Sequence, residues 1–122
     1  MKMNLEDIAR ADGRYSPQAL TFVYEALGYT VKKHAQEAIE PTGPQHITGR
    51  DLAHGLKDMA LERYGKLAPT VLAGWGIRST RDFGEIVYLM IANQWMSAQP
   101  TDTIDDFNDV YPFTDFDKDF HF

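Results

Sequence analysis

The sequence contains no cysteine. This absence excludes disulfides, thiolate zinc sites, iron–sulfur clusters and a cysteine nucleophile together. No apolar run approaches the roughly 20 residues that a membrane helix needs. Residues 1–7 include acids where a signal peptide would have its apolar segment. We therefore expect a soluble protein with no membrane partner, most simply a cytoplasmic one.

Motifs for phosphate binding and for nucleophilic catalysis are also missing. The sequence has neither the Gly-x-Gly-x-x-Gly loop nor a Walker sequence. Its three serines are Ser16, Ser79 and Ser97, and none has the Gly-x-Ser-x-Gly context of a hydrolase nucleophile. The Asp-Phe-Gly tripeptide at 82–84 is not a kinase element, because the chain lacks the His-Arg-Asp segment. We predict no catalytic residue and no cofactor.

Positive charge is too sparse for a nucleic-acid-binding protein. The densest basic spots are Lys32–Lys33 and the pair Arg78 and Arg81, and neither forms a stripe. The isoelectric point near 5.0 also argues against nucleic-acid binding. A helix–turn–helix can be drawn over residues 51–76, but such geometry without cations gives little affinity. No nucleic-acid partner is expected.

The length of 122 residues suits one globular domain, residues 1–122, with a single core. Apolar residues recur at steps of three and four, and hairpin signals between alternating runs are missing, so we predict an all-α fold. Residues 87–91 could alternatively be a buried strand. The first two of the five predicted helices are a short one capped by Asn4 and ended by Gly13, and a long one that starts at the Ser16 cap and Pro17 and reaches Ala38/Ile39. The third runs from a capping box at Thr48–Asp51 to Gly65. The last two are a short one opened by Pro69 and stopped at Gly74–Gly76, and one from a second capping box at Ser79–Asp82 to about Trp95.

The net charge of −6 is confined to the last 23 residues. Residues 1–99 hold 11 basic and 11 acidic side chains, whereas residues 100–122 hold seven Asp against Lys118 alone. Five of the seven Phe lie in that same segment, together with Tyr111. A purely solvating acidic tail would be poor in aromatics. We therefore expect this acidic, aromatic segment to dock on something.

Two interpretations of the segment remain open. Its rings pack on the protein's own body while the Asp residues face water, or the segment captures a partner with a basic surface. A homodimer in which the segment crosses to the neighbouring copy is a third arrangement. The leading functional hypothesis is a non-enzymatic interaction or regulatory module. Its predicted contact residues are Trp75, Phe83, Phe107, Tyr111, Phe113, Phe116 and Phe120.

Asp51, His54, Asp58 and Glu62 share one stripe of the third predicted helix. A di-iron bundle requires the Glu-x-x-His pattern on a second helix, and none occurs. We interpret the stripe as a solvated face. The alternative function is a small metal- or ligand-binding protein or enzyme that uses Asp51, His54 and Asp58.

Glu85 is the acid best placed for a raised pKa, because apolar residues surround it in sequence. Burial of that kind would suit a general acid. Arg81, one turn earlier, or Arg78 could instead hold the carboxylate in an ion pair. We prefer the structural ion pair.

Four segments follow one another in a characteristic order. They are Thr-Gly-Arg-Asp-Leu at 48–52, Ala-Leu-Glu-Arg-Tyr-Gly at 60–65, Trp-Gly-Ile with Asp-Phe-Gly-Glu-Ile-Val within 75–87, and Asp-Phe with Tyr-Pro-Phe within 106–113. This order resembles a family of small bacterial proteins described from planctomycete and verrucomicrobial lineages. The family has no assigned activity, so the resemblance implies no catalytic residue.

Overall fold

The computed structural model describes residues 2–37 and 47–116. These two ranges contain α-helices and short 3₁₀ helices but no strand, which confirms the all-α prediction. Residues 87–91, the alternative strand, are helical. The elements are α1 (Leu5–Asp12), α2 (Pro17–Glu37), α3 (Gly49–Tyr64), a 3₁₀ helix (Gly65–Leu67), α4 (Ala68–Gly74), α5 (Thr80–Ala92) and a second 3₁₀ helix (Ile104–Phe107).

Helix boundaries follow local capping chemistry at α1 and α3. The Asn4 Oδ1 accepts the N–H of Asp7 at 2.8 Å, and Gly13 ends α1 in the left-handed conformation with φ of 82°. At α3, the Thr48 hydroxyl accepts the N–H of Asp51, and the Asp51 carboxylate accepts the N–H of Thr48. This reciprocal pair is the predicted capping box.

Two predicted caps do not form. Ser79 precedes α5, but its side chain makes no capping hydrogen bond. The Asp82 carboxylate there accepts the N–H of Arg78 at 2.8 Å and the hydroxyl of Tyr15 at 2.6 Å. The Ser16 hydroxyl, before α2, is buried without a partner among the described residues. At Ser79, the contacts of Asp82 with Arg78 and Tyr15 therefore take the place of the predicted capping box.

α2 is the central helix, and it packs against α1, α3 and α5. α2 and α3 approach closely because Gly55 has no side chain, and a Cβ there would overlap the hydroxyl of Thr30. That hydroxyl is buried and donates to the carbonyl of Ala26 at 2.7 Å. The core is built largely of aliphatic and aromatic side chains from these helices, among them Leu20, Val23, Leu56, Ala60, Phe83, Ile86 and Met90.

α5 ends at Ala92, so Trp95 lies just beyond the helix. The predicted end of the second helix at Ala38/Ile39 falls outside the described residues. In the described part of the chain, no helix combines the length and apolar character needed to cross a membrane.

Candidate functional site

After α5 the chain runs back over the helices as a strap, which we define as residues 97–116. Its rings are anchored on the body of the same chain. Phe107 is 2% exposed, Tyr111 6% and Phe116 0%, while Phe113 is half-buried. The aromatic residues of the described strap therefore pack in cis.

Phe107 lies against two glycines of the helical body. A Cβ on Gly49, at the start of α3, would lie 2.8 Å from the Phe107 ring. A Cβ on Gly84, in α5, would lie 2.8 Å from the Phe107 Cβ. Any larger residue at either glycine would displace the ring. Residues from α3, α5 and the strap thus meet at one contact.

Two hydroxyl groups, one from α5 and one from the strap, tie the strap to the helical body. The Thr80 hydroxyl donates to the carbonyl of Phe107 at 2.6 Å and accepts the N–H of Val110 at 3.2 Å. The Tyr111 hydroxyl donates to the carbonyl of Ala53 at 2.6 Å. Burial, and to a lesser extent the negative charge of Asp58, raises the pKa of Tyr111. The strap is therefore tied to both α3 and α5.

The remaining strap rings form a cluster with a ring of α5. Phe113 lies 5.8 Å from Phe83 and 5.1 Å from Phe116 between ring centroids, the second pair edge to face. Tyr111 stacks on Phe113 at 6.2 Å. Such pairs contribute beyond the area they bury, by roughly 0.5–1.5 kcal/mol. Four of the predicted contact residues, Phe83, Phe107, Tyr111 and Phe116, are thus core side chains.

Three of the five acidic side chains of the strap are exposed to solvent. Asp105 is 75% exposed, and Asp106 and Asp109 are exposed as well. Residues 97–116 contain no Lys or Arg. Arg81 of α5 lies 3.1 Å from Asp105 and also donates to Asn108. A row of surface carboxylates is therefore held in place by the buried rings beside it.

Trp75, the predicted contact residue of the α4–α5 turn, lies in a separate groove. It is half-buried, with ring centroids 5.5 Å from Phe22 and 5.8 Å from Tyr64. The groove between these rings and Arg63 has a volume of about 360 Å³. Phe120, the last predicted contact residue, lies outside the described residues.

The metal candidates of α3 are engaged in other contacts. Asp51 caps its helix, and Asp58 forms an ion pair with Lys33 at 2.6 Å. His54 is exposed and lies 5.6 Å from the Tyr111 ring. The three side chains do line one polar cavity of about 200 Å³. Across residues 2–37 and 47–116, no three His, Asp or Glu side chains are grouped to hold a metal ion.

Glu85 is held by two arginines. Arg14 lies 3.0 Å and Arg81 3.4 Å from its carboxylate oxygens. The pairing with Arg81 was predicted, and Arg78 is not part of it. Arg14 was missed because it is 71 residues away in sequence, on the chain between α1 and α2. Glu85 is therefore a structural ion-pair residue.

A small cavity beside the strap was not predicted. It has a volume of about 60 Å³, between α2, α5, the start of α3 and the strap. Tyr88 of α5 and two strap carboxylates, Asp102 and Asp106, are among its lining residues. In sequence, Tyr88 lies within an apolar helical run and carries no signal that separates it from core residues.

Comparisons with protein-family models, with curated proteins and with solved structures found no match to this chain.

Proposed function

We propose that this protein is a non-enzymatic interaction module whose strap binds a basic segment of a partner protein. The proposal depends on the opposite orientations of the aromatic and the acidic side chains within residues 97–116. The rings face the chain's own core, and the carboxylates of Asp105, Asp106 and Asp109 face solvent. A cytoplasmic location belongs to the same proposal.

The charge distribution supports this function. Residues 1–99 have no net charge, so the net negative charge of the molecule lies in the carboxyl-terminal segment. Complementary charge accelerates association and disfavours wrong partners more than it adds affinity. Because exposed charges are screened, binding of this kind weakens as salt is added. A basic segment is the partner chemistry that such a surface favours.

Burial of the rings changes the mechanism that composition alone suggested. We expected the rings to supply area to the partner, but Phe107, Tyr111 and Phe116 are already covered by the body. Their role in the proposal is to hold the backbone so that the carboxylates keep fixed positions. A pre-organised surface loses less conformational entropy on binding than a flexible tail.

The test compares two double variants that each remove two negative charges. Asp105→Asn with Asp109→Asn changes the strap, whereas Glu6→Gln with Asp7→Asn changes exposed acids of α1. Binding of a labelled lysine-rich peptide is measured by fluorescence anisotropy at low and at physiological salt. We expect the strap variant to lose about tenfold in affinity at low salt, and the α1 variant to change little.

Equal losses in the two variants would show only a response to net charge and would contradict the proposal. Light scattering on the wild-type protein tests the homodimer with a crossed strap. A monomer with intact peptide binding agrees with the packing in cis. A dimer that dissociates on removal of the strap would favour the crossed arrangement.

A second candidate function uses the polar cavity on α3. Its support is that Asp51, His54 and Asp58 line one cavity, together with His34 and Lys33. A metal ion there would have to displace the Lys33–Asp58 ion pair. Melting with and without Zn²⁺, in the wild type and in His54→Ala, tests it. A Zn²⁺-dependent rise in melting temperature that His54→Ala abolishes would support this candidate over the strap.

A further inference from the structure

One cation of the helical body contacts the acid row, a name we give to the three exposed strap carboxylates Asp105, Asp106 and Asp109. The Nη1 of Arg81 donates to the Oδ1 of Asp105 at 3.1 Å and to the Oδ1 of Asn108 at 3.0 Å. The Nδ2 of Asn108 donates to the same oxygen of Asp105 at 3.2 Å. Two strap oxygens therefore converge on one guanidinium nitrogen.

The other two members of the acid row have no such partner. The Asp106 carboxylate accepts the N–H of Thr103, which fixes its position and leaves its charge. Within residues 2–37 and 47–116, no Lys or Arg forms an ion pair with Asp106 or Asp109. Asp105 is therefore the one carboxylate of the acid row that a cation of the described chain already occupies.

Arg81 keeps a second carboxylate partner if it leaves the strap. Its Nε lies 3.4 Å from one oxygen of Glu85, one turn further along α5, and Arg14 lies 3.0 Å from the other oxygen. Withdrawal of Arg81 from Asp105 leaves the guanidinium group beside Glu85. The side chains of Arg81 and Asp105 are 42% and 75% exposed. Because water reaches both groups, their pairing is weak enough for a charged ligand to replace.

We propose that Arg81 is an intramolecular competitor of the basic partner segment. In the free protein its guanidinium group occupies Asp105 and Asn108, and a cationic side chain of the partner takes its place on binding. Arg81 then pairs with Glu85 alone. This inference rests on the proposed function and adds a regulation of the same surface, because the protein's own cation lowers the affinity for every basic segment that must displace it.

The expected size of the effect follows from the exposure of the pair. An exposed ion pair contributes little, because water and salt screen it. We expect removal of Arg81 to raise the affinity for a basic segment about threefold, which is about 0.7 kcal/mol at 1.4 kcal/mol per tenfold. Added salt should reduce this gain, since the pair that is removed is itself screened.

The test compares Arg81→Met with Arg78→Met in binding of the labelled lysine-rich peptide, measured by fluorescence anisotropy. Both variants remove one positive charge and keep an unbranched side chain. The Arg78 side chain is exposed and forms no ion pair with the residues that the structure describes. We expect Arg81→Met to bind about threefold more tightly than the wild type, and Arg78→Met to change much less. Equal gains would show a response to net charge alone and would overturn the inference.

Two backgrounds locate the competition on the strap. Asp105→Asn removes the carboxylate that Arg81 contacts, and Asp109→Asn removes an exposed carboxylate of the acid row that it does not contact. Arg81→Met is added to each. The threefold gain should persist with Asp109→Asn and should fall to the level of Arg78→Met with Asp105→Asn. A gain that persists in both backgrounds would contradict competition at Asp105.

Hydrogen exchange separates competition from a loosened strap. The strap is anchored by Phe107, Thr80 and Tyr111 through contacts that do not involve Arg81. We therefore expect Arg81→Met to leave exchange at the N–H of Val110 unchanged and to lower the melting temperature by only a few degrees. Higher affinity with unchanged exchange supports the inference. Higher affinity with accelerated exchange at Val110 would attribute the gain to a loosened strap and overturn it.

Two outcomes separate failure of this inference from failure of the proposed function. Peptide binding that depends on the acid row but does not strengthen in Arg81→Met would overturn the competition and retain the basic-segment function. Binding that is independent of the acid row would overturn both, because the competitor and the partner are assigned to the same carboxylates.

Discussion

The helical body and the strap both bury apolar side chains, but they do so in different ways. In the body, backbone polar groups are satisfied within each helix, and aliphatic side chains at helical spacing form the core. In the strap, aromatic side chains provide the burial, and groups of the body such as the Thr80 hydroxyl satisfy the backbone. The strap therefore depends on a few specific contacts, while the body depends on many equivalent ones.

This difference determines which part of the molecule can present a binding surface. A helix presents whichever residues face away from the core, whereas an irregular strap with few anchors can point its remaining side chains outward. Five Asp residues lie between residues 102 and 115 of the strap, and no cation lies among them in sequence. Substitutions in the strap and in the body should therefore have separable effects on stability and on binding.

The largest effect is expected from Phe107→Ala. Phe107 is 2% exposed and fills the space above Gly49 and Gly84, so its loss leaves a cavity. We expect a loss of roughly 3–5 kcal/mol in the free energy of unfolding, measured by denaturant titration. Phe113→Ala, at a half-buried ring of the same strap, should cost less. Equal and small losses would contradict the anchoring role of Phe107.

Two glycine substitutions should separate the regions. Gly55→Ala forces α2 and α3 apart, and Gly84→Ala pushes Phe107 and the strap away from α5. Each should cost about 1–3 kcal/mol of stability. Only Gly84→Ala should also lower the affinity for the lysine-rich peptide, because only this substitution moves the strap. Peptide affinity measured well below the melting transition checks this, and equal weakening in both would contradict it.

Thr80→Val removes the hydroxyl that joins α5 to the strap backbone. The carbonyl of Phe107 and the N–H of Val110 then lose their partner in a buried region. We expect a cost of roughly 1–2 kcal/mol, seen as a lower melting temperature. Hydrogen exchange should accelerate at Val110 more than in α2. Uniform acceleration through the whole chain would show that the strap and the body unfold as one unit.

Alkaline pH should destabilise both regions through one tyrosine in each. Burial is the main cause that raises the pKa of Tyr15 in the body and of Tyr111 in the strap above the ordinary value of 10.0. The unfolded chain releases these protons first as pH rises. Stability is therefore complete below pH 10 and falls above it. Tyr111→Phe should reduce the decline in melting temperature between pH 9 and 11, and an unchanged decline would contradict the assignment.

The sequence predicted the body better than the site. Helical spacing and the caps at Asn4 and Thr48 are local signals, and the elements that they predicted are present. The Ser16 hydroxyl forms no cap and is buried without a partner among the described residues. The capping box at Ser79 failed because the N–H of Arg78 and a tertiary partner, the Tyr15 hydroxyl, engage the Asp82 carboxylate. Local patterns contain no information on such distant partners.

Composition identified the strap but not its geometry. The confinement of Asp and Phe to residues 100–122 was visible in the sequence. The sequence did not show which of these side chains turn inward, because the strap as a whole follows no helical or strand period. Tyr88 and the small cavity beside the strap were not visible in the sequence for a related reason. They arise where α5, α3 and the strap meet, and the residues concerned are separated by tens of positions.

The most direct test of the central claim is an NMR titration of the labelled protein with the lysine-rich peptide. Backbone amide shifts report which residues contact the peptide. We expect the largest shifts between residues 102 and 110. The largest shifts around Trp75 or in the polar cavity of α3, or none at all, would contradict the claim that the strap is the binding surface.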